Sequence, residues 1–170
     1  MKISKLIILF LVSILTSCSS VYVNTDYDKK ANFAAYKTYA YNKSSIDKLE
    51  ISDLDKKRIL YAIDAVMPTK QFSKSENPDV LISIFTKERE RLDVYQNYGF
   101  GWGWNPYWGM GYSNVTTTSE GTLFIDIIDA KTKELVWQGE GSGYITKNTE
   151  KKEARIKEFV SKILEQYPPK

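Results

Sequence analysis

The pattern of apolar and polar positions divides the chain into a few elements. Val80-Leu81-Ile82-Ser83-Ile84-Phe85 is apolar on both parities at first, as a central strand reads. It continues from Thr86 to Leu92 in charged alternation, which predicts a strand running out toward solvent. Thr116 to Asp129 predicts the next strand, strongest over Leu123-Phe124-Ile125-Asp126-Ile127-Ile128. Ala130 to Lys133 make a turn. The partner strand starts at Glu134-Leu135-Val136-Trp137-Gln138 and extends through Gly139, Gly141 and Gly143 to Ile145, giving a hairpin. Earlier, Val21-Tyr22-Val23 and Tyr36 to Tyr41 read as shorter strands, with Tyr39 and Tyr41 on one parity.

Two stretches carry helical spacing instead. Ser52 offers an N-cap, and Asp53 and Asp55 in the first turn favour the helix dipole. That helix runs to about Met67 and stops at Pro68, with Leu60, Ile63 and Met67 on its apolar face, flanked by Ile59 and Val66. Near the end of the chain, Ile156, Phe159, Val160, Ile163, Leu164 and Tyr167 recur at helical intervals, capped by Asn148 or Thr149 and ended by Pro168-Pro169. Its polar face mixes Glu153, Glu158 and Glu165 with lysines, which favours packing on a sheet over lying in a membrane surface. The expected fold is α+β: a mostly antiparallel sheet of about five strands with two helices packed on one face, in the order two strands, helix, three strands, helix.

The first residues belong to none of these elements. Lys2 and Lys5 precede an apolar run from Leu6 to Leu15, two small residues and Cys18. Ten apolar residues fall short of the roughly 17–25 needed to span a membrane, so the run reads as a secretory signal peptide. Leu15-Thr16-Ser17-Cys18 resembles the lipobox of bacterial lipoproteins. The resemblance implies that the Cys18 thiol receives a diacylglycerol, that cleavage precedes Cys18, and that the new amine takes an acyl chain such as palmitate. Residues 1–17 are then removed, 18–20 carry the lipid and form a short tether, and 21–170 make a single α+β domain. Cys18 is the only cysteine, so no intramolecular disulfide is possible. Three tether residues reach at most about 10 Å, so the domain is expected directly on the bilayer with the start of its first strand toward the headgroups. Ser19 after the cysteine resembles the outer-membrane sorting pattern, facing the periplasm.

Charge narrows the function classes. The 24 basic and 21 acidic side chains become 22 against 21 once Lys2 and Lys5 are removed. A near-neutral chain argues against nucleic-acid binding and against strong electrostatic adhesion to anionic lipid. Histidine is absent, which removes the commonest general base and the usual zinc ligand. Neither a Ser-His-Asp nor a Cys-His arrangement can form. Asp26-Tyr27-Asp28-Lys29-Lys30 lacks the glycine and distal glutamate of a calcium loop and reads as a solvated turn. No cofactor or metal is expected.

The unusual stretch is 95–112. It holds Tyr95, Tyr98, Phe100, Trp102, Trp104, Tyr107, Trp108 and Tyr112 among five of the nine glycines. Extended, Phe100, Trp102 and Trp104 would share one side opposite bare backbone. Three readings stand: a long hairpin loop packed on its own domain, insertion at a membrane interface where Trp and Tyr are favoured, or stacking on a ligand such as a peptidoglycan sugar. A protein partner would also suit such aromatic anchors.

Taken in order, several weak motifs resemble the bacterial lipoproteins grouped as domain of unknown function 4136. They are Asp26-Tyr27-Asp28, Phe33, Tyr36-Lys37-Thr38-Tyr39, Pro78-Asp79-Val80-Leu81-Ile82, the glycine–aromatic run, and Gly121-Thr122-Leu123-Phe124-Ile125-Asp126-Ile127-Ile128-Asp129 followed by Lys131, Leu135-Val136-Trp137 and Gly139. Relatives often carry a basic residue where this chain has Gln138. The resemblance implies export and fold, and no activity. Asp126, expected on the face opposite Leu123, Ile125 and Ile127, reads as a structural hydrogen-bonding carboxylate, and Asp129 as the start of a turn.

The expected function is a non-enzymatic, lipid-anchored envelope protein that binds or scaffolds at the periplasmic face of the outer membrane. Its partners would be the membrane through its lipid, and peptidoglycan or an envelope protein. The alternatives are a glycan-acting hydrolase, which needs two carboxylates converging at about 5–9.5 Å from among acids such as Asp26, Asp126 and Glu140, and a small-ligand binder with an apolar pocket beneath the aromatic segment.

Overall fold

The computed structural model describes residues 21–95, 114–146 and 148–169. Six strands form one sheet: β1 (Tyr22–Tyr27), β2 (Thr38–Tyr41), β3 (Ser73–Lys74), β4 (Val80–Tyr95), β5 (Asn114–Asp129) and β6 (Leu135–Tyr144). Their spatial order is β1-β6-β5-β4-β2-β3. The pairs β1–β6, β6–β5 and β5–β4 are antiparallel, while β2 runs parallel to both β4 and β3. Parallel neighbours need a crossover. It is supplied by two helices, α1 (Lys43–Asp47) and α2 (Asp53–Val66); α3 (Thr149–Glu165) follows β6.

Three features differ from the sequence reading. The sheet has six strands rather than five, because Ser73–Lys74 in a polar loop pairs with Thr38 and Tyr39 at the edge. Such a two-residue strand has no periodicity to announce it. Helix α1 is additional; the apolar period is too short to show in five residues, and its place is set by Ser45, buried against β4, whose Oγ accepts from Ile84 N at 3.4 Å. Phe33–Ala35 forms a 3-10 turn, so β2 begins at Thr38 rather than Tyr36.

The core lies between the helices and one face of the sheet. Val80, Ile82 and Ile84 on β4 and Leu123, Ile125 and Ile127 on β5 point into it at alternate positions, as period-two burial requires. From the helices come Ile59, Ala62 and Ile63 of α2 and Phe159, Val160, Ile163 and Leu164 of α3. On β6 the inward positions after Trp137 are glycines, and Ile163 of α3 leans into the space they leave. A Cβ on Gly139 would collide with the Trp137 ring and Ile163 Cγ2, and one on Gly141 would lie 2.7 Å from Ile163 Cδ1. The absence of side chains there is what lets α3 approach the sheet.

Both helix N-termini open at the same end. Ser52 Oγ accepts from Asp55 N at 3.2 Å and Asn148 Oδ1 from Glu150 N at 2.9 Å. Lys152 Nζ donates to Asp55 Oδ2 at 2.7 Å, and Arg58 holds the other oxygen at 2.7 Å. Two parallel helices present two positive dipole ends side by side; Asp53, Asp55 and Glu150 in their first turns offset this.

Candidate functional site

The carboxylates of the motifs are occupied with holding the chain together. Asp79 Oδ2 accepts from Lys37 N at 3.0 Å, Thr38 N at 2.9 Å and Thr38 Oγ1 at 2.8 Å, fixing the start of β2 to the start of β4. The Lys37 and Thr38 donors keep its carboxyl below the usual range. Asp129 Oδ1 accepts from Lys131 N and Thr132 N at 2.7 and 2.9 Å, closing the β5–β6 turn, while Oδ2 accepts from Tyr36 OH at 2.9 Å. Burial, then the bonded Asp129 carboxylate, push the Tyr36 hydroxyl up to about 12.

Asp126 has a different setting. It lies on the sheet face away from the helices, opposite Ser83 of β4 and Gln138 of β6. It is only 8% exposed, and Gln138 Nε2 donates to its Oδ1 at 2.8 Å. Burial pushes the carboxyl up, and the amide offsets only part of this. Asp26 stands opposite Gln138 from the other side, and Glu140 is two residues further along β6. Asp26, Asp126 and Glu140 share one sheet face around Gln138, but Asp26 is exposed and the acids do not converge in a cleft as a hydrolase would need. Asp26 and Asp126 sit two strand spacings apart, roughly 10 Å. They stand on the open sheet face, Asp26 on its edge strand.

The register also sets which end of the domain is which. Tyr22 pairs with Ser142, Ser142 with Thr122, and Thr122 with Lys87. Beyond Glu120, which pairs with Tyr144 at the end of β6, strands β4 and β5 pair, among the described residues, only with each other, from Glu90 and Ser119 to Tyr95 and Asn114. This two-stranded ribbon leaves the sheet at the end where Val21 lies. From Glu90 to Tyr95 the ribbon extends roughly 17 Å at about 3.3 Å per residue, and Tyr95 lies roughly 26 Å beyond the level of Lys87.

At the base of the ribbon the helix layer stops and the sheet continues, and the step between them forms a cleft of about 600 Å³. Ile59 of α2, Leu123 of β5 and Phe159 of α3 are its buried floor; Ile51, Ile145 and Ile156 are half-buried walls. Gly121 makes room for Ile145, whose side chain occupies the place a Cβ would take. A second hollow of about 870 Å³ adjoins it through Tyr144, Thr146 and Arg155 and is lined on its far side by Val21 and Tyr22.

Of the residues singled out from sequence, Asp126 falls within the described residues. Cys18, Tyr98, Phe100, Trp102, Trp104, Tyr107 and Trp108 lie outside them. The cleft residues were not read from sequence as a group. Ile51 and Ile145 sit outside the regular elements, where no periodicity marks an apolar residue as facing anything. Among the described residues, no helix is long and apolar enough to cross a membrane, and no three His, Cys, Asp or Glu residues are grouped as a metal ion would need.

The model of the family Domain of unknown function (DUF4136) matches residues 23–169. The chain belongs to this family. The match covers almost every described residue, so the contacts of Asp79, Asp129 and the β6 glycines are those of a DUF4136 domain. No curated protein sequence matches the chain. Among solved structures, the chain is similar to a PDZ domain protein from Parabacteroides distasonis ATCC 8503 at 15% identity and a TM-score of 0.55, over 89% of this chain and 37% of that one. This DUF4136 chain thus corresponds to little more than a third of that protein, and the likeness is one of fold. Two structures of the PelC dodecamer from Paraburkholderia phytofirmans share 11% and 12% identity with TM-scores of 0.47 and 0.48, over 85% of this chain and 95% of theirs.

Proposed function

We propose that this DUF4136 protein is a non-enzymatic binding or scaffolding module of the cell envelope, lipidated at Cys18 and held at the periplasmic face of the outer membrane. Its ribbon end faces that membrane, where Tyr98, Phe100, Trp102, Trp104, Tyr107 and Trp108 form a second contact. The observation that carries this reading is the register that brings Tyr22 level with Lys87 and Thr122. The tether and the ribbon therefore leave the domain at one end. A tether of about 10 Å is outreached by β4 and β5, which run roughly 26 Å past the level of Tyr22. For both to meet one surface, the strands run obliquely to it. A ribbon with two unpaired edges would not enter hydrocarbon, where each unsatisfied backbone group is costly, so the contact is interfacial.

The test is tryptophan fluorescence of the 19–170 fragment, titrated separately with lipid vesicles and with peptidoglycan fragments. Trp137 is fully buried and supplies a constant background, which a Trp137→Phe version checks. A blue shift with vesicles is expected. A shift with glycan alone would replace the membrane contact by cell-wall binding.

One observation keeps a second reading, a glycan-acting hydrolase, open to test, although Asp26 is exposed and its spacing of roughly 10 Å from Asp126 exceeds what that chemistry needs. That observation is the raised Asp126 carboxyl, on one face with Asp26 and Glu140. Release of soluble sugar from peptidoglycan that disappears in Asp126→Asn would establish it over the binding role.

A further inference from the structure

We propose that the cleft at the base of the ribbon is a binding site for a long aliphatic chain, the acyl group of a lipid. The lining argues for this chemistry. Five of the six side chains that make its floor and walls are aliphatic: Ile51, Ile59, Leu123, Ile145 and Ile156. The sixth, Phe159, is buried with its ring covered by the Arg155 guanidinium at 4.8 Å, so the one exposed ring among the described lining residues is Tyr144 at the rim, which a sugar competitor tests. A volume of about 600 Å³ is within the range of small-ligand sites.

Two of the three cations at the rim are already engaged within the protein. Lys152 is held by Asp55 at 2.7 Å, and Arg155 donates to Tyr144 O at 3.0 Å and to Glu158 at 2.7 Å. Charges balance around the opening, with Glu50, Asp55 and Glu88 against Lys87, Lys152 and Arg155. A ligand entering here makes most of its contact with the aliphatic floor and walls, which favours a flexible hydrocarbon chain whose polar end stays at the rim.

Position supplies the source. The adjoining hollow is lined by Val21 and Tyr22, and residue 18 lies within about 10 Å of Val21 along the chain. An acyl chain on Cys18 is tethered within that reach of the adjoining hollow, and a neighbouring lipid of the same membrane is the other source. The cleft chemistry stands without lipidation; the Cys18 source rests on the lipoprotein reading above.

The experiment uses the unlipidated 19–170 fragment, which contains every described residue. cis-Parinaric acid is titrated as a fluorescent probe, with palmitate, lysophosphatidylcholine and a chitin oligosaccharide as competitors. Saturable binding at one site is expected, displaced by palmitate and lysophosphatidylcholine and not by the sugar. Ile145→Asp and Ile51→Asp, both outside helices and strands, are each expected to weaken binding at least tenfold while cooperative thermal unfolding persists. No saturable binding by the folded fragment, or binding unchanged in both variants, overturns the proposal. Full-length lipidated protein, purified in detergent and freed of membrane lipid, then separates the sources. A blocked site identifies the protein's own anchor, and a free one identifies membrane lipid. Mass spectrometry of the membrane-extracted protein tests Cys18 lipidation independently, so failure of that reading leaves the fragment result standing.

Discussion

Gln138 on β6 donates its side-chain amide to Asp126 on β5 at 2.8 Å, across the sheet face that carries no helix. Burial pushes the Asp126 carboxyl above its ordinary value, and the amide only partly opposes this. An acid whose folded value exceeds its unfolded one holds its proton more tightly when folded. It lends stability as the pH falls through that window and withdraws it as the pH rises. Asp126→Asn keeps an acceptor for Gln138 and removes the charge. A gain on the order of 1 kcal/mol at pH 7 is expected, a rise in Tm of roughly 2–4 °C for a domain of this size. Melting curves across pH should show the gain vanish below the ordinary carboxylate value of 3.8.

Gln138→Arg should act on the same carboxylate in the opposite way. A guanidinium in place of the amide would bring a positive charge to a buried acid and lower its pKa. Titration of the Asp126 carboxyl by NMR is expected to move down relative to the parent, and an unchanged value would mean the arginine turns to solvent.

The bridge from Lys152 to Asp55 joins α3 to α2. Burial alone would raise Asp55, but hydrogen bonds from Lys152 and Arg58 outweigh it and hold its carboxyl low. The stability this lends is present above the unfolded value of 3.8 and is lost as the pH falls through the depressed folded one. Lys152→Met should cost about 1 kcal/mol at pH 7 and flatten the acid limb of a stability–pH curve. An acid limb of unchanged slope would count against the bridge.

Gly141→Ala should cost about 1–3 kcal/mol, since a methyl group there meets Ile163 Cδ1. Ile163→Ala removes that carbon and the Cγ1 atom that the methyl would also meet at 2.8 Å. The double variant should therefore be less destabilised than the two single changes added together, as a denaturant double-mutant cycle would read.

Tyr167 is 1% exposed, and its hydroxyl has no hydrogen-bond partner among the described residues, as is true of Trp137 Nε1 in the ring beside it. A buried donor left unpaired costs about 1–3 kcal/mol. Tyr167→Phe is expected to leave stability unchanged or raise it by about 1 kcal/mol, measured by urea unfolding. A clear loss would point to a buried water serving that hydroxyl.

The elements with a long period were legible in sequence. Alternation over β4, β5 and β6 and the three-and-four spacing of α3 are repeated many times, so tertiary context had little room to override them. For α2 the face was read slightly wrong. Leu60 is only half-buried, and Ile59 and Ala62 take the inner positions beside Ile63, because the angle at which α2 lies on the sheet decides the stripe. Short elements were not legible: α1 and β3 have too few residues to show a period, and each is held by contacts with β2 or β4.

The sequence by itself determined the amphipathic helices, the long hairpins, the near-neutral charge and the family, because each is written in local spacing or composition. Tertiary structure alone decided what lies beside what. Register turns Tyr22, Thr122 and Lys87 into neighbours and sends the ribbon past Val21. The stop of the helix layer short of the ribbon opens a cleft lined by Ile51, Ile145 and Ile156, residues drawn from separate parts of the chain. Such a relation is a property of pairing and packing across long sequence separations, and no local pattern encodes it.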